Sequence, residues 1–301
     1  AFAGGTLALD CAAAERAIVE HIGERLKLDA RWAAAGIGEI VEENMASAAR
    51  VHAIERGKTA ERCTMIAFGG AAPLHAARLA AKLGMTRVLV PVDASVGSAV
   101  GFLRAPMAFE VARSFVLQEG NFAPAAINRL LDAMQAEAAA IVAAGAPGAA
   151  LETRRLVEMR HLGQGHELAV PLPERALVRD DCAALREAYQ IRYEEQFGLR
   201  IADVPLEFLT WTVTVATGIA DAAPPPAPAA GQTAAPRGTR QVFDPAAGKS
   251  EPLPTYWRAD LVPGARLCGP ALVTEPQTTT LLPAGWDLEV TAAGDLLLAR
   301  R

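Results

Sequence analysis

The chain has 301 residues, 51% of them hydrophobic and 21% charged, which supplies enough apolar material for two or more compact domains and excludes a disordered polypeptide. With 29 basic against 34 acidic residues the net charge is −5, and no dense basic stripe is present, so nucleic acid is not an expected partner. Charges or prolines interrupt every apolar run short of a bilayer span, and no basic segment followed by an apolar core opens the chain, so a soluble, cytoplasmic protein is expected.

Asp10 is placed to cap a helix over residues 12–21, and Asp29 one over 30–35. A longer helix, 37–56, carries Ile37, Val41, Met45 and Ala48 on one stripe, which predicts a core face, and Gly57 closes it. Glu42, Glu43, Glu55 and Arg56 then read as a solvated face. Cys11, Cys63, Cys182 and Cys268 are far apart and form no Cys-x-x-Cys pair, the pattern of free thiols in a reducing compartment.

The densest signal lies between Cys63 and His75, where an apolar run stops at Gly69-Gly70 and a helix begins at once, with Pro73 suited to its first position. Such a turn presents backbone N–H groups at the positive end of a helix and suits an anion such as phosphate. Ala76, Leu79, Ala80 and Leu83 mark the helix's buried face, Gly84 ends it, and Arg87 to Pro91 forms the next strand. The unit reads as strand, glycine turn, helix, strand, part of a parallel sheet with its ligand edge at the glycines. His75, in the helix's first turn, suits either a hydrogen-bonding role near a ligand or packing against a local carbonyl. Gly97-Ser98 to Gly101 is a second backbone-accessible turn, from which Ser98 could reach a ligand.

From residue 109 the pattern changes. Strand 110–117, helix 124–144, strands 151–162 and 167–172, helix 180–197 and strand 205–218 follow in the order β-α-β-β-α-β of a ferredoxin-like module. His161 and His166 read as strand-surface side chains. The Pro/Ala-rich stretch 222–237 predicts an exposed linker. Short strands at 241–243, 271–275, 278–282, 287–290 and 296–299 then predict a small all-β module.

The words Phe68-Gly-Gly-Ala-Ala-Pro-Leu-His-Ala76, Leu79 to Gly84, Val88 to Pro91 and Gly97-Ser-Ala-Val-Gly101 together resemble the hydantoinase A/oxoprolinase family. So do Arg160-His-Leu-Gly-Gln-Gly165, Phe197-Gly-Leu-Arg200, Leu261-Val-Pro-Gly264, Gly269 to Val273 and Pro283-Ala-Gly-Trp286, so that the likeness covers nearly the whole chain. The resemblance implies a partial actin-like (ribonuclease H-like) ATPase lobe over 1–108, then the ferredoxin-like α+β module over 109–220, the linker over 221–238 and the β-rich module over 239–301. It implies ATP, with Mg²⁺ on its phosphates, at Gly69, Gly70, Ala71 and Ala72, with His75 and Ser98 beside them. Ala72 stands where the family usually has glycine, a departure that narrows the turn. The family words Gly4-Gly5 and Leu9-Asp10 lie deep inside longer relatives, so a C-terminal part or a split half is expected, its N-terminal lobe in the same or another chain and its companion a hydantoinase B-type subunit.

Family members use ATP to open cyclic amides such as hydantoins and 5-oxoproline, or as subunits of acetone and acetophenone carboxylases. The resemblance implies the first activity, with the carboxylase and a non-catalytic scaffold as alternatives. Catalytic residues are expected outside this chain.

Overall fold

The computed structural model describes residues 7–218 and 234–301, and the chain divides into two units, Ala1–Phe102 with Ala223–Arg301, and Leu103–Ala222. Both mix helices with sheets. No helix of the described residues is long and apolar enough to cross a membrane.

In the first unit Asp10 accepts from the N–H of Ala13 and starts α1 (Cys11–Ile18), which runs through a π-helical turn at Val19–Gly23 into α2 (Glu24–Leu26). Asp29 accepts from the N–H of Trp32, and α3 (Ala30–Glu55) is one helix through Gly36, where two were expected. Glu43, Glu55 and Arg56 are exposed as expected, but the predicted core stripe is not the buried face. Ala33, Glu42 and Ala46 are buried, whereas Ile37, Ile40, Val41, Val51 and Ile54 are exposed. The small residues allow close approach to the helix α4 (Ala72–Lys82), which follows β1 (Met65–Ile66) and precedes β2 (Arg87–Val90).

β1 and β2 are parallel, as expected. The rest of their sheet comes from the far end of the chain, in the order β1-β2-β13-β12-β9, with β9 at Arg266–Cys268, β12 at Trp286–Val290 and β13 at Leu296–Arg300, and every pairing beyond β2 is antiparallel. The segment expected as a free-standing β-rich module is therefore built into the first sheet, and both share one core through Ala76, Ala80, Val88, Val90, Leu288, Leu296 and Leu298. A second sheet, β11-β10-β8-β7, holds β7 (Gly238–Asp244), β8 (Lys249–Trp257), β10 (Ala271–Thr274) and β11 (Thr279–Leu282). Of the expected linker, residues 221–233 lie outside the described residues. Its end is packed, with Ala234 against the core and the Arg237 N–H donating to Thr255 O at 2.8 Å.

The second unit has the expected element order, β3 (Ala108–Gln118), α6 (Pro124–Gly145), β4 (Leu151–His161), β5 (Leu168–Pro171), α7 (Asp181–Phe197) and β6 (Leu206–Thr217). Its antiparallel sheet runs β3-β6-β4-β5, so the second and fourth strands are central. The ferredoxin-like arrangement instead centres the first and third, so that expectation is corrected: each βαβ crossover is split by one strand, but a different one. α5 (Gly97–Arg104) joins the two stretches of chain.

His161 is buried in this second core rather than on a strand surface, edge-on to Tyr189 and Tyr193 at 5.1 and 5.0 Å between ring centroids, with neither ring nitrogen hydrogen-bonded. Burial holds its pKa below the ordinary histidine value, Val204's carbonyl pulling the other way and the Arg186 charge adding to the lowering. The unfolded chain thus binds the proton more readily than the native one, and stability is lost as pH falls below about 6.5, with a slope of up to about 1.4 kcal/mol per pH unit. His161→Phe, which keeps a ring between the tyrosines, is expected to flatten that slope in urea unfolding at pH 5 to 7. An unchanged slope would place the pH dependence elsewhere.

Candidate functional site

The apolar run before the glycines forms only a two-residue strand, because Ala67 leaves the ladder after donating to Leu89 O at 2.8 Å and the chain turns over the sheet edge. Gly69 has φ +112°, a conformation side chains rarely adopt, and its N–H donates to Ala94 O at 2.8 Å. Its role is to shape the turn, since its own amide is already occupied. The N–H groups of Gly70, Ala71 and Ala72 make no hydrogen bond among the described residues, and Ala71 as N-cap offers no side-chain oxygen. Three open donors thus stand in sequence at the positive end of an 11-residue helix, with Gly70 and Ala71 exposed. Pro73 is the second residue of α4, one position beyond the first helical position expected for it.

Two further segments lock this turn. The β10–β11 hairpin brings Thr278, whose hydroxyl donates to Gly70 O at 2.7 Å, and Gln277, whose side chain pairs with Ser95 at 3.2 Å. A Cβ on Gly70 would meet Gln277 O at 3.4 Å. The Phe68 ring lies on Gly97, where an added Cβ would come within 2.2 Å of it, so this glycine is fixed by contact. Gly97 to Gly101 is helical, in α5, rather than a turn, and Ser98 is an exposed residue of its first turn. Ser98 therefore shares a neighbourhood with the glycine turn through Gly97, with no hydrogen bond to it.

His75 bonds neither to a local carbonyl nor to the turn. Its Nδ1 lies 3.2 Å from Oε1 of Glu42 on α3, the residue expected on a solvated face and found only 4% exposed. Arg78 Nε stands 3.0 Å from Glu42 Oε2, and Arg78 also donates to Glu39 at 2.8 Å. Behind the hairpin, Arg258 donates to Gly294 O at 2.7 Å and approaches Glu275 at 3.6 Å, with side chains 12% and 13% exposed. Burial raises the Glu275 pKa and lowers that of Arg258. Glu42, Thr278, Gln277, Glu275 and Arg258 were missed in the sequence. For the hairpin residues no local signal exists, because they reach the turn from some 200 positions away.

The family model described as hydantoinase/oxoprolinase matches residues 1–111, and that of the hydantoinase/oxoprolinase C-terminal domain matches residues 121–293. The chain is 30% identical over 295 residues to the caprolactamase subunit alpha of Pseudomonas jessenii, covering 95% of this chain and 42% of that one. It is 27% identical over 310 residues to the acetophenone carboxylase gamma subunit of Aromatoleum aromaticum, covering 98% and 42%. The crystal structure of the ATP-dependent caprolactamase from Pseudomonas jessenii superposes with a TM-score of 0.77 at 27% identity, over 100% of this chain and 44% of the other. The chain thus spans less than half the length of these relatives, with the glycine turn inside the first matched segment. It belongs to the hydantoinase/oxoprolinase family.

Proposed function

We propose that this chain supplies the second, adenosine-side lobe of an actin-like (ribonuclease H-like) ATPase that opens cyclic amides, with ATP held at the glycine turn. The observation that carries the reading is the row of three unpartnered amides at Gly70, Ala71 and Ala72, on a turn that Gly69, Thr278 and Gln277 hold in shape. Preorganised donors of this kind bind phosphate oxygens without rearranging. Similarity to the caprolactamase, whose structure is described as ATP-dependent, supports the nucleotide and the amide substrate class. Bound ATP would supply a phosphoryl group to activate the amide oxygen. In that step the residues of this chain bind and orient.

Among the described residues no group of three or more His, Cys, Asp or Glu forms a metal cage. Mg²⁺ fits such a lobe through the phosphates and water rather than through dedicated protein ligands. The relatives named as subunits support a hetero-oligomer, for which we propose a hydantoinase B-type partner and a first ATPase lobe.

The test is calorimetry with Mg·ATP on this chain mixed with a polypeptide that supplies the relatives' remaining length. Saturable binding is expected, weakened at least about tenfold in Gly70→Val, whose side chain would crowd both the amide row and Gln277 O. No binding by the assembled protein would leave a non-catalytic scaffold as the better reading. A second activity is favoured by the 27% identity to a carboxylase subunit: ATP-dependent carboxylation of a ketone. ATP turnover that requires bicarbonate and a ketone, with none on lactams, would select it.

A further inference from the structure

A cavity of about 480 Å³ opens in the second unit beside the first half of β4, lined by Gln135 of α6, Leu151 to Arg155 of β4, and Glu174, which follows β5. All of these residues belong to that one unit. β4 runs along β6 as far as Leu151, but β5 pairs only with Leu156 to Met159. Beyond them Leu172 donates to Arg155 O at 2.9 Å. Backbone groups of alternate residues face the same edge of a strand, so those of Thr153 and Leu151 follow Arg155 toward the side that β5 leaves bare.

The Arg155 side chain points to the same face of the sheet as buried Val157 and is only 10% exposed. Its Nη2 donates to Gln135 Oε1 at 2.5 Å and stands 3.6 Å from Asp132, a carboxylate 72% exposed. Nε and Nη1 make no hydrogen bond among the described residues, yet neither is closed off, and Arg155 is part of the cavity wall. An enclosed guanidinium with spare donors needs an acceptor there. Gln135, its oxygen committed to Arg155, has its NH₂ group left to donate. Four charged residues line the cavity, Arg154 and Arg155 against Glu152 and Glu174, and of these only Arg155 joins an ion pair among the described residues. A simple anion would meet two carboxylates here and a simple cation two guanidinium groups, whereas a molecule that carries both signs is matched.

We propose that this cavity binds a small amino acid in its zwitterionic form, the carboxylate on Arg155 and the Gln135 amide, the ammonium toward Glu174. Hydrolytic opening of a cyclic amide leaves an amine and a carboxylate on one molecule. The ligand is therefore of the same chemical class as that reaction's product, a link that rests on the cyclic-amide reading given above.

The test compares ε-aminocaproate, caproate and hexylamine, which share one carbon chain and differ in the charges at its ends. Calorimetry on the full chain should show saturable binding of ε-aminocaproate with a Kd of about 1 mM or tighter. Caproate, lacking the ammonium, should bind about two- to fivefold more weakly, and hexylamine, lacking the carboxylate, about tenfold or more. Backbone-amide NMR should place the changes at Leu151, Thr153 and Arg155 and on the Gln135 side-chain amide. Arg155→Gln should weaken ε-aminocaproate about tenfold, and Glu174→Gln about two- to fivefold without weakening caproate. Glu174 is exposed, so its variant keeps the inference testable even where Arg155→Gln does not fold. Caproate bound as tightly as ε-aminocaproate, shifts confined to other residues, or no binding at all overturns the inference while leaving the cyclic-amide reading in place. Binding as expected, in an assembled protein whose ATP turnover needs bicarbonate and a ketone, keeps the site and overturns the cyclic-amide reading instead.

Discussion

Arg258→Met is expected to lower the unfolding free energy by about 3–5 kcal/mol at neutral pH, although it exchanges one long side chain for another of apolar character. The guanidinium is almost wholly enclosed, donates to Gly294 O and faces Glu275, which is equally enclosed and has Oε1 without a hydrogen bond. Asp93 and Asp295 add their negative field at Arg258. Removing the cation leaves a buried carboxylate with no charge to balance it, and that uncompensated charge, more than the lost contact, is the cost.

The pH dependence separates these contributions. Burial raises the folded-state pKa of Glu275 above its unfolded value, so the native state holds the proton more tightly, and stability falls as pH rises through the interval between the two. The Arg258→Met loss should accordingly be largest at pH 7 and shrink toward pH 4, where Glu275 is mostly protonated in both states. Urea unfolding at the two pH values checks this. The double variant Arg258→Met, Glu275→Leu should recover much of the loss, because an apolar pair replaces an ionic one. Equal losses at both pH values would show that Glu275 is not the source. Glu275 begins the turn that carries Gln277 and Thr278 to Gly70, so the single variant should also loosen the glycine turn.

Local chemistry made most elements legible, while the assembly of the first unit was hidden. Asp10 and Asp29 cap their helices as read, and in the second unit all six main elements fall within a few residues of the expected bounds, since alternation and helical periodicity are written into consecutive residues. The stripe of α3 shows the limit of that logic. Periodicity gathered Ile37 and Val41 on one side, but α4 packs against the alanine side, which admits a close helix contact and carries Glu42 inward. Nothing in a 3.6-residue period says which face a distant helix will choose.

β8 has no counterpart among the expected strands, and it contains Pro252 and Pro254, a residue type that cannot donate to a strand ladder. They are tolerated because β10 pairs only with Thr255 to Trp257 of that strand, leaving the prolines paired to β7 alone. The joining of β13 to β2 is a pairing of Leu296 with Val90 across the whole chain, and no local signal records it. The candidate site divides the same way. Gly69, Gly70 and the helix start were visible in one short word, while the hairpin that braces them and the carboxylate behind His75 arrive by tertiary contact.

Trp211→Ala is expected to cost the second unit about 3–5 kcal/mol, the range for emptying a large aromatic site in a packed core. Trp211 is fully buried in the central strand β6, nearly parallel to Phe208 at 6.0 Å between ring centroids, and its indole N–H donates to Phe115 O at 2.9 Å. That carbonyl lies where β3 changes register between Ser114 and Leu117, so the indole satisfies an acceptor that the irregular ladder leaves without a strand partner. Truncation therefore removes packed volume and strands a polar group together. Trp211→Phe separates the two effects: it keeps most of the ring volume and loses only the N–H, so a cost of about 1–3 kcal/mol is expected. Circular dichroism during urea unfolding is the suitable readout, because the substitution removes the tryptophan that would otherwise report on this unit. If alanine cost under about 1 kcal/mol, the core would have to collapse around the vacated site. If phenylalanine cost as much as alanine, the bond to Phe115 rather than ring volume would be what Trp211 contributes to holding β3 against β6.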